Sequence, residues 1–182
     1  MKNEESIAYV LNALKIEDKL VEVRILNTDN GTVSGYFNDP DQLEASIKPY
    51  DGKHNIFFTV NRINPSIVSL GDLNKLTDYA TTTTKDDDIT DYQSAFIDID
   101  PIRPSGFSAT DDEKAAALVV SEQIKPYLKE MGLPEPFEMD SGNGYHLLLP
   151  TNLENTEENK LLIKKFLEAL DFRFSSDQAE VD

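Results

Sequence analysis

The sequence of 182 residues contains no cysteine, so it can form neither a disulfide nor a thiolate zinc site. No apolar run approaches the ~20 residues that a membrane-spanning helix needs. Residues 1–5 are acidic and lack the apolar core of a signal peptide. Internal repeats and linkers rich in Pro, Gly or Ser are also missing. We therefore expect a cytoplasmic protein that has no membrane partner.

Basic residues are scarce, with 17 Lys and Arg against 34 Asp and Glu, which gives a net charge of −17. Broad, non-specific binding of nucleic acid needs a basic surface, so the charge argues against it. A local basic groove or bound metal ions could still support nucleic-acid binding. The length and the 39% hydrophobic content are sufficient for one domain with a core.

Apolar periodicity predicts an alternation of helices and strands along the chain. Helices are predicted at residues 6–16, after Asp39, from Pro65 to about Tyr79, from Thr110 towards Gly132 (with a kink or break at Pro126), and from Thr156 to about Leu170. Strands are predicted at residues 21–26, 32–37, 56–60, 94–102, 137–140 and 145–149. This order predicts an α+β fold, in which a sheet is covered by helices mainly on one face.

The strand at residues 94–102 contains an Asp-x-Asp pair. Alternate side chains of a strand point to opposite faces, so Ile97 and Ile99 can enter a core while Asp98 and Asp100 share the other face. Two neighbouring carboxylates repel each other unless a cation lies between them, and hard oxygen ligands suit Mg²⁺ or Mn²⁺. The alternative is an exposed strand face with two solvated aspartates, because so short a motif arises often by chance.

Residues 141–146 form a second candidate, Ser-Gly-Asn-Gly-Tyr-His. Gly142 and Gly144 allow positive φ and close approach of backbone N–H groups to an anion. Ser141 adds a hydroxyl donor, and His146 can offer a ring N–H to a phosphate oxygen. The segment therefore predicts a cradle for a polyphosphate. The alternative is a simple hairpin turn followed by a hydrogen-bonded strand histidine.

Taken in order, these motifs resemble those of the archaeo-eukaryotic primase superfamily, in particular the primase-polymerase domains of phages, plasmids and other mobile elements. Residues 96–101 resemble its first motif, hydrophobic-Asp-hydrophobic-Asp. Residues 141–146 resemble its second, Ser-x-His in the expanded form Ser-Gly-x-Gly-x-His. Val181 and Asp182 resemble its third, hydrophobic-Asp, and residues 57–61 and 100–106 are similar to the mobile-element branch.

The resemblance implies template-directed nucleotidyl transfer by a DNA primase or polymerase. Asp98, Asp100 and Asp182 would hold two Mg²⁺ or Mn²⁺ ions, which lower the pKa of the attacking 3′-hydroxyl and clamp the displacement at the α-phosphorus. The incoming triphosphate would be held by Ser141, Gly142, Gly144 and His146, with Arg103 as a further phosphate contact.

The same resemblance implies a single catalytic domain over residues 1–182, with an RRM-like palm at about 91–182 and a smaller N-terminal α/β unit at about 1–90. Family members continue past the position of Asp182, so we expect this chain to be trimmed at its C-terminus. The zinc module of many primases is missing. The implied partners are a single-stranded DNA template, a primer, (deoxy)nucleoside triphosphates and a helicase domain or protein of the same replication system.

Two other functions stay open at this point. A nucleotide-sugar glycosyltransferase can use Asp-x-Asp to hold a metal, and it needs neither the Ser141–His146 cradle nor a third aspartate. The chain could also be a non-catalytic nucleic-acid-binding remnant of the polymerase fold. Such a remnant would bind neither metal near Asp98 nor a triphosphate.

Overall fold

The computed structural model describes residues 9–12 and 14–182, without the side chains of residues 17 and 70. The chain divides into two compact units, one up to Tyr92 and the other Gln93–Asp182. The predicted α+β class is confirmed, with two antiparallel sheets. In the part of the chain that the structure describes, the helices are all too short or too polar to cross a membrane.

The first unit contains the strands β1 (Val21–Thr28), β2 (Gly31–Phe37), β3 (Asn55–Phe58), β4 (Arg62–Ile63) and β5 (Lys75–Thr77). Four of them form a sheet in the order β3-β1-β2-β5. The first two strands, both predicted, form a hairpin, since β1 and β2 pair antiparallel from Val21↔Phe37 to Thr28↔Gly31. Its loop needs a glycine, since Gly31 has a φ of 68°.

One face of this sheet forms the core of the first unit. Val21, Val23 and Ile25 are completely buried, and Leu43 and Ile47 of the helix after Asp39 are buried as well. That helix, α1, spans Pro40–Ile47, and the Asp39 side chain caps it by accepting from the Asp41 and Gln42 N–H groups. Residues 9–12 and 14 are helical as predicted, with Leu11 and Leu14 buried. Ile7, which the apolar periodicity predicts on the same helix face, lies outside the described residues.

The predicted helix from Pro65 to Tyr79 is wrong. The segment contains two single 3₁₀ turns, Pro65–Ile67 and Leu70–Asp72, followed by β5. Asn64 caps the first turn through Ser66 N–H, but Val68 is already extended. Asn74 then takes a left-handed φ of 57°, which ends any helical path before β5. The apolar spacing that indicated a helix therefore comes from separate short turns.

The second unit contains most of β6 (Ile89–Pro101), which begins in the first unit by pairing with β4. It also contains β7 (Phe137–Asp140), β8 (Tyr145–Glu154), β9 (Ala179–Val181) and the helices α2 (Asp111–Glu130) and α3 (Glu157–Phe174). In the sheet, β8 lies between β6 and β7, and β9 pairs with β6. The central strand β6 is longer than the predicted range 94–102.

The two long helices pack on one face of this sheet, as predicted. Buried residues of β6, β8, β9, α2 and α3 form one apolar cluster: Ala95, Ile97, Ile99, Ala117, Val120, Ile124, Leu128, Leu147, Leu149, Leu170, Ala179 and Val181. The helix α2 begins with the expected capping box, in which Thr110 and Glu113 bond each other's backbone N–H groups. On α3 the inward residues include Ile163 and Phe166, whereas Leu162, which the apolar periodicity predicts to face inward as well, is 55% exposed.

The predicted kink or break at Pro126 does not end α2, which continues to Glu130. A proline inside a helix removes one backbone hydrogen bond and strains the preceding turn. On either side of Pro126, however, Ile124 and Leu128 are completely buried in the core. Burial of these two side chains favours a continuous helix, and it offsets the local cost of the proline.

Candidate functional site

The strand β6 separates an apolar face from an acidic one, as its alternation predicted. Ile97 and Ile99 have no exposed surface and belong to the core. Asp98 and Asp100 therefore point to the other face of the sheet, where both stay partly accessible. Pro101 is the last residue of the strand. The carboxylates thus lie on the face that the two helices leave uncovered.

Asp182 lies directly across the sheet from Asp98. The Asp98 N–H donates to the Asp182 carbonyl at 2.8 Å, and the Asp182 N–H donates to the Asp98 carbonyl at 2.9 Å. Residues that exchange both hydrogen bonds are neighbours in the ladder, and their side chains share a face. The next pair on that face is Asp100↔Glu180. A β6–β9 ladder therefore brings three predicted aspartates and one further glutamate to one face.

His146 reaches the same face from β8. Its Nε2 atom lies 3.2 Å from Oδ1 of Asp98. Phe96 lies on β6, two residues before Asp98. Its ring packs against the His146 ring, with centroids 4.7 Å apart and planes tilted by 57°. Because the Phe96 ring limits where the imidazole can move, it holds His146 next to Asp98.

Oδ1 of Asp98 is buried beside the His146 ring. It has no hydrogen bond to any residue that the structure describes, because the approach of His146 Nε2 lacks hydrogen-bond geometry in spite of the 3.2 Å distance. Burying an ionised oxygen without compensation is costly. The position therefore favours a neighbouring cation or a hydrogen-bond donor.

Asp100 lies in an unfavourable electrostatic environment for a carboxylate. Burial raises the pKa of the Asp100 carboxyl, and the neighbouring charge of Asp98 raises it further, with a smaller contribution from Asp182. Arg103 and His146 act in the opposite direction without cancelling the shift. A divalent cation at this face would remove the repulsion that raises the pKa.

Arg103 follows β6 closely and is near enough to Asp100 to affect its pKa. Its Nη1 donates to the Phe107 carbonyl. Its Nε atom is buried and has no hydrogen-bond partner among the described residues. The guanidinium therefore keeps one buried donor without a partner close to Asp100.

The turn between β7 and β8 is a tight hairpin that uses its own donors. Ser141 N–H donates to the Gly144 carbonyl, Gly142 N–H to Asp140 Oδ1 and Gly144 N–H to Ser141 Oγ, at 2.7–3.1 Å. The open nest of N–H groups that we expected for an anion is therefore not formed. The Asp140 carboxylate occupies the anion position at Gly142, and Lys114 contacts both its oxygens at 2.7 and 2.8 Å.

The two glycines of the turn serve different purposes. Gly142 has a φ of 94°, as its place in a tight turn requires. Gly144 is needed because the turn packs against β6, where a Cβ atom would lie 2.2 Å from the Ile99 carbonyl oxygen and 2.8 Å from Oδ1 of Asp100. Asn143 ties the turn to the segment before α2 by accepting from Ala109 N–H at 3.0 Å. The hairpin thus lies directly beside the acidic face.

A divalent ion fits this face only with ligands from outside the protein. Among the residues that the structure describes, no three His, Asp or Glu side chains are arranged to hold a metal ion as they stand. The buried oxygen of Asp98 beside His146 and the repulsion at Asp100 nevertheless suit a hard cation. Mg²⁺ is commonly bound by one or two carboxylates together with substrate phosphates and water.

The structure therefore brings Asp98, Asp100, Asp182 and His146 to one face, with Arg103 and Gly144 next to Asp100. Ser141 and Gly142 belong to the adjoining turn, but their N–H groups are engaged within it. Sequence reasoning assigned no role to Phe96 or Glu180. The alternation Ala179-Glu180-Val181-Asp182 contains the signal for Glu180, because it places both acidic residues on one strand face.

No family model, curated protein sequence or solved structure matches this chain.

Proposed function

We propose that this chain carries out metal-dependent, template-directed nucleotidyl transfer on the face formed by β6, β8 and β9. The observation that supports this most strongly is the convergence of Asp98, Asp100 and Asp182 beside His146. These residues belong to three motifs that are far apart in sequence and that resemble the primase-polymerase pattern. Phosphoryl transfer depends mainly on positioning and on neutralising negative charge, and the donor set suits those tasks.

In this proposal Asp98, Asp100 and Asp182 hold Mg²⁺ or Mn²⁺. The bound ions would lower the pKa of the attacking 3′-hydroxyl and neutralise charge on the transferring phosphate. The protein contributes the arrangement of the carboxylates along the β6–β9 ladder. Phe96 positions the His146 ring, and the Arg103 guanidinium, which is close enough to affect the pKa of Asp100, would contact a phosphate oxygen.

The turn at Ser141–Gly144 would have to change its hydrogen bonds to hold a triphosphate. The Gly142 N–H group now donates to Asp140, so a phosphate oxygen at that position would replace the Asp140 carboxylate. The Ser141 hydroxyl accepts from Gly144 N–H, and its own proton remains available for donation. We propose that substrate binding supplies the energy for this exchange.

The finer fold in this proposal is an RRM-like palm in the second unit. Its partners would be single-stranded DNA, a primer, (deoxy)nucleoside triphosphates and a helicase of the same replication system. The net charge of −17 opposes contact with DNA phosphates. We therefore propose that bound metal ions supply much of the positive charge at the site.

Two observations favour one alternative, a non-catalytic nucleic-acid-binding remnant. The N–H groups of the turn are engaged, and the described residues contain no group of three side chains ready to hold a metal ion. Calorimetry with a deoxynucleoside triphosphate and Mn²⁺ separates the two functions. Metal-dependent binding that is lost in His146→Ala would exclude the remnant. A thermal-shift comparison with nucleotide sugars, again with Mn²⁺, tests the glycosyltransferase, which requires stabilisation by nucleotide sugars alone.

Nucleotide incorporation on a primed template with Mn²⁺ or Mg²⁺ tests the proposed activity. We expect Asp98→Ala and Asp100→Ala each to lower incorporation at least about 100-fold, since even groups that only orient metal ligands contribute 10–100-fold. The control is Glu130→Gln, which removes an exposed carboxylate at the end of α2 and should leave the rate unchanged. Full activity of both aspartate variants would refute the metal assignment.

A further inference from the structure

A cavity of about 560 Å³ lies within the first unit, and none of the acidic-face residues Asp98, Asp100 and Asp182 lines it. It is lined by Lys19 and Leu20 before β1, Arg62 and Ile63 of β4, and Val68 and Leu73 near the 3₁₀ turns, among others. Its volume falls in the range of roughly 300–1,000 Å³ that is typical of small-molecule sites. The wall therefore combines two cations with one carboxylate, that of Asp18, and with polar and apolar side chains.

Lys19 is an unusual residue for a cavity wall because only 8% of its surface is exposed. Its ammonium group donates to the Val60 carbonyl, which is the one hydrogen-bond acceptor we find for it among the described residues. An ammonium group has three donors, so two remain for a ligand or water. Burial, followed by the charge of Arg62, lowers the pKa of Lys19 to about 8.

Arg62 is the second cation of the cavity. It faces Asp91 across the β4–β6 pair, but the Nη1–Oδ2 distance is 3.6 Å and the Arg62 side chain is 45% exposed. Such an ion pair contributes little and leaves the guanidinium available. Two cations that repel each other in a protein of net charge −17 gain stability when an anion lies between them.

We propose that this cavity is a binding site for a small organic phosphate, held by Lys19 and Arg62. Two cations neutralise a phosphate dianion, and the guanidinium fork and ammonium donors match phosphate oxygens. Leu20, Ile63 and Val68 would contact the apolar part of the ligand. The proposal does not depend on nucleotidyl transfer at Asp98 and Asp100, since the lining residues all belong to the first unit.

Isothermal titration calorimetry with phenyl phosphate at pH 7 tests the site. A hydrogen bond to a charged group contributes about 1.5–3 kcal/mol, so we expect Lys19→Met and Arg62→Gln each to weaken binding about 10- to 100-fold. The control variant Lys53→Gln removes an exposed lysine that donates to Pro49, and it should bind like the wild type. Arg62→Gln keeps the test valid if Lys19→Met fails to fold.

The protonation of Lys19 gives a second readout. The charged groups near its ammonium are Lys15, Asp18, Arg62 and Asp91. With a pKa of about 8, Lys19 is about half protonated at pH 8, and a bound anion would make it fully charged. Titrations at pH 8 in buffers of different ionisation enthalpy should therefore show uptake of about half a proton, absent in Lys19→Met. Equal affinities in wild type and Lys19→Met, or no proton uptake, would overturn the proposal.

The chemical class of the ligand is tested by replacing phosphate with carboxylate. We expect benzoate, a monoanion, to bind at least about tenfold more weakly than phenyl phosphate. Equal binding of benzoate would contradict the assignment to phosphates. Equal weakening by Lys53→Gln and Arg62→Gln would contradict the site itself, because it would indicate non-specific attraction to surface cations.

Discussion

The carboxylates of Asp98 and Asp100 lower the stability of the fold when no ligand is bound. Asp98 buries an oxygen without a hydrogen-bond partner, and the pKa of Asp100 is raised by its burial and by Asp98. A core that served stability alone would avoid both costs. Unfavourable carboxylates of this kind are common at functional sites, where a ligand or an ion removes the repulsion.

We expect Asp100→Asn to raise the midpoint of thermal unfolding at pH 7 in the absence of divalent ions. The substitution removes a charge that the folded chain disfavours. Because the pKa of Asp100 is raised in the folded state, the wild type regains stability as the pH falls below that pKa. The difference between the two proteins should thus shrink towards acid pH.

Differential scanning calorimetry at pH 7 and pH 4 measures the unfolding midpoints of both proteins. The control variant is Glu130→Gln, which also removes one carboxylate, but an exposed one. A lower midpoint for Asp100→Asn than for the wild type at pH 7 would mean that the carboxylate stabilises the fold.

Gly144 should be less tolerant of substitution than Gly142, although both belong to the same turn. A Cβ atom at Gly144 meets the backbone of Ile99 at 2.2 Å, whereas one at Gly142 has no atom within 4 Å. We expect Gly142→Ala to cost about 1–3 kcal/mol through its positive φ. Gly144→Ala should cost more and also displace the turn from β6. Urea unfolding of both variants tests the order, and equal or reversed costs would contradict the close approach.

At the scale of elements, the sequence predicted secondary structure best where one local pattern continued through the whole element. The hairpin of β1 and β2, the caps of α1 and α2, and the alternation of β6 were all visible as local patterns. The segment after Pro65 failed because its apolar spacing fits a helix and separate turns equally well. Pro126 does not break α2, because burial of Ile124 and Leu128 favours the continuous helix, and such tertiary burial is not a local signal.

A buried polar network joins three segments of the first unit around Glu22 of β1. The completely buried Glu22 carboxylate accepts from Arg24 Nη2 at 2.8 Å, Ser34 Oγ at 2.7 Å and Thr84 N–H at 3.0 Å. Burial by itself would raise the pKa of Glu22, but the hydrogen bonds from Arg24, Ser34 and Thr84 outweigh it and lower the pKa. The network therefore stabilises the fold when Glu22 is ionised.

We expect Glu22→Gln to lower the free energy of unfolding at pH 7 by about 2 kcal/mol, as for a hydrogen bond to a charged group. Because the pKa is lowered on folding, the advantage of the wild type is present above the ordinary value of 4.5 and is lost as the pH falls through the lowered pKa. Urea unfolding at pH 7 and pH 3, with Asp29→Asn as an exposed control, measures both effects. A difference that stays constant with pH would contradict the role of the charge.

At the scale of the whole molecule, the motifs predicted which residues belong to the site, but not which of them lie next to each other. That Asp182 pairs with Asp98 depends on β9 joining the edge of β6, a contact between segments about 80 residues apart. The internal hydrogen bonds of the Ser141–Gly144 turn could not be predicted from the sequence either. The Asp140 side chain accepts from the Gly142 N–H group, which we had predicted to contact a phosphate. Local patterns do not show which partner such a donor prefers.

The acidic composition has a direct consequence for a protein that is proposed to bind nucleotides. With a net charge of −17, the chain should bind a triphosphate only weakly unless cations neutralise both partners. Binding of metal and nucleotide should therefore be coupled, each strengthening the other by the same factor.

Calorimetric titration of Mn²⁺ into the protein with a deoxynucleoside triphosphate present tests the central claim most directly. We expect binding that needs both ligands and that weakens at least about tenfold in Asp98→Asn and in Asp100→Asn, but not in Glu130→Gln. Mn²⁺ binding that is the same in all four proteins would contradict a metal-dependent nucleotide site on β6.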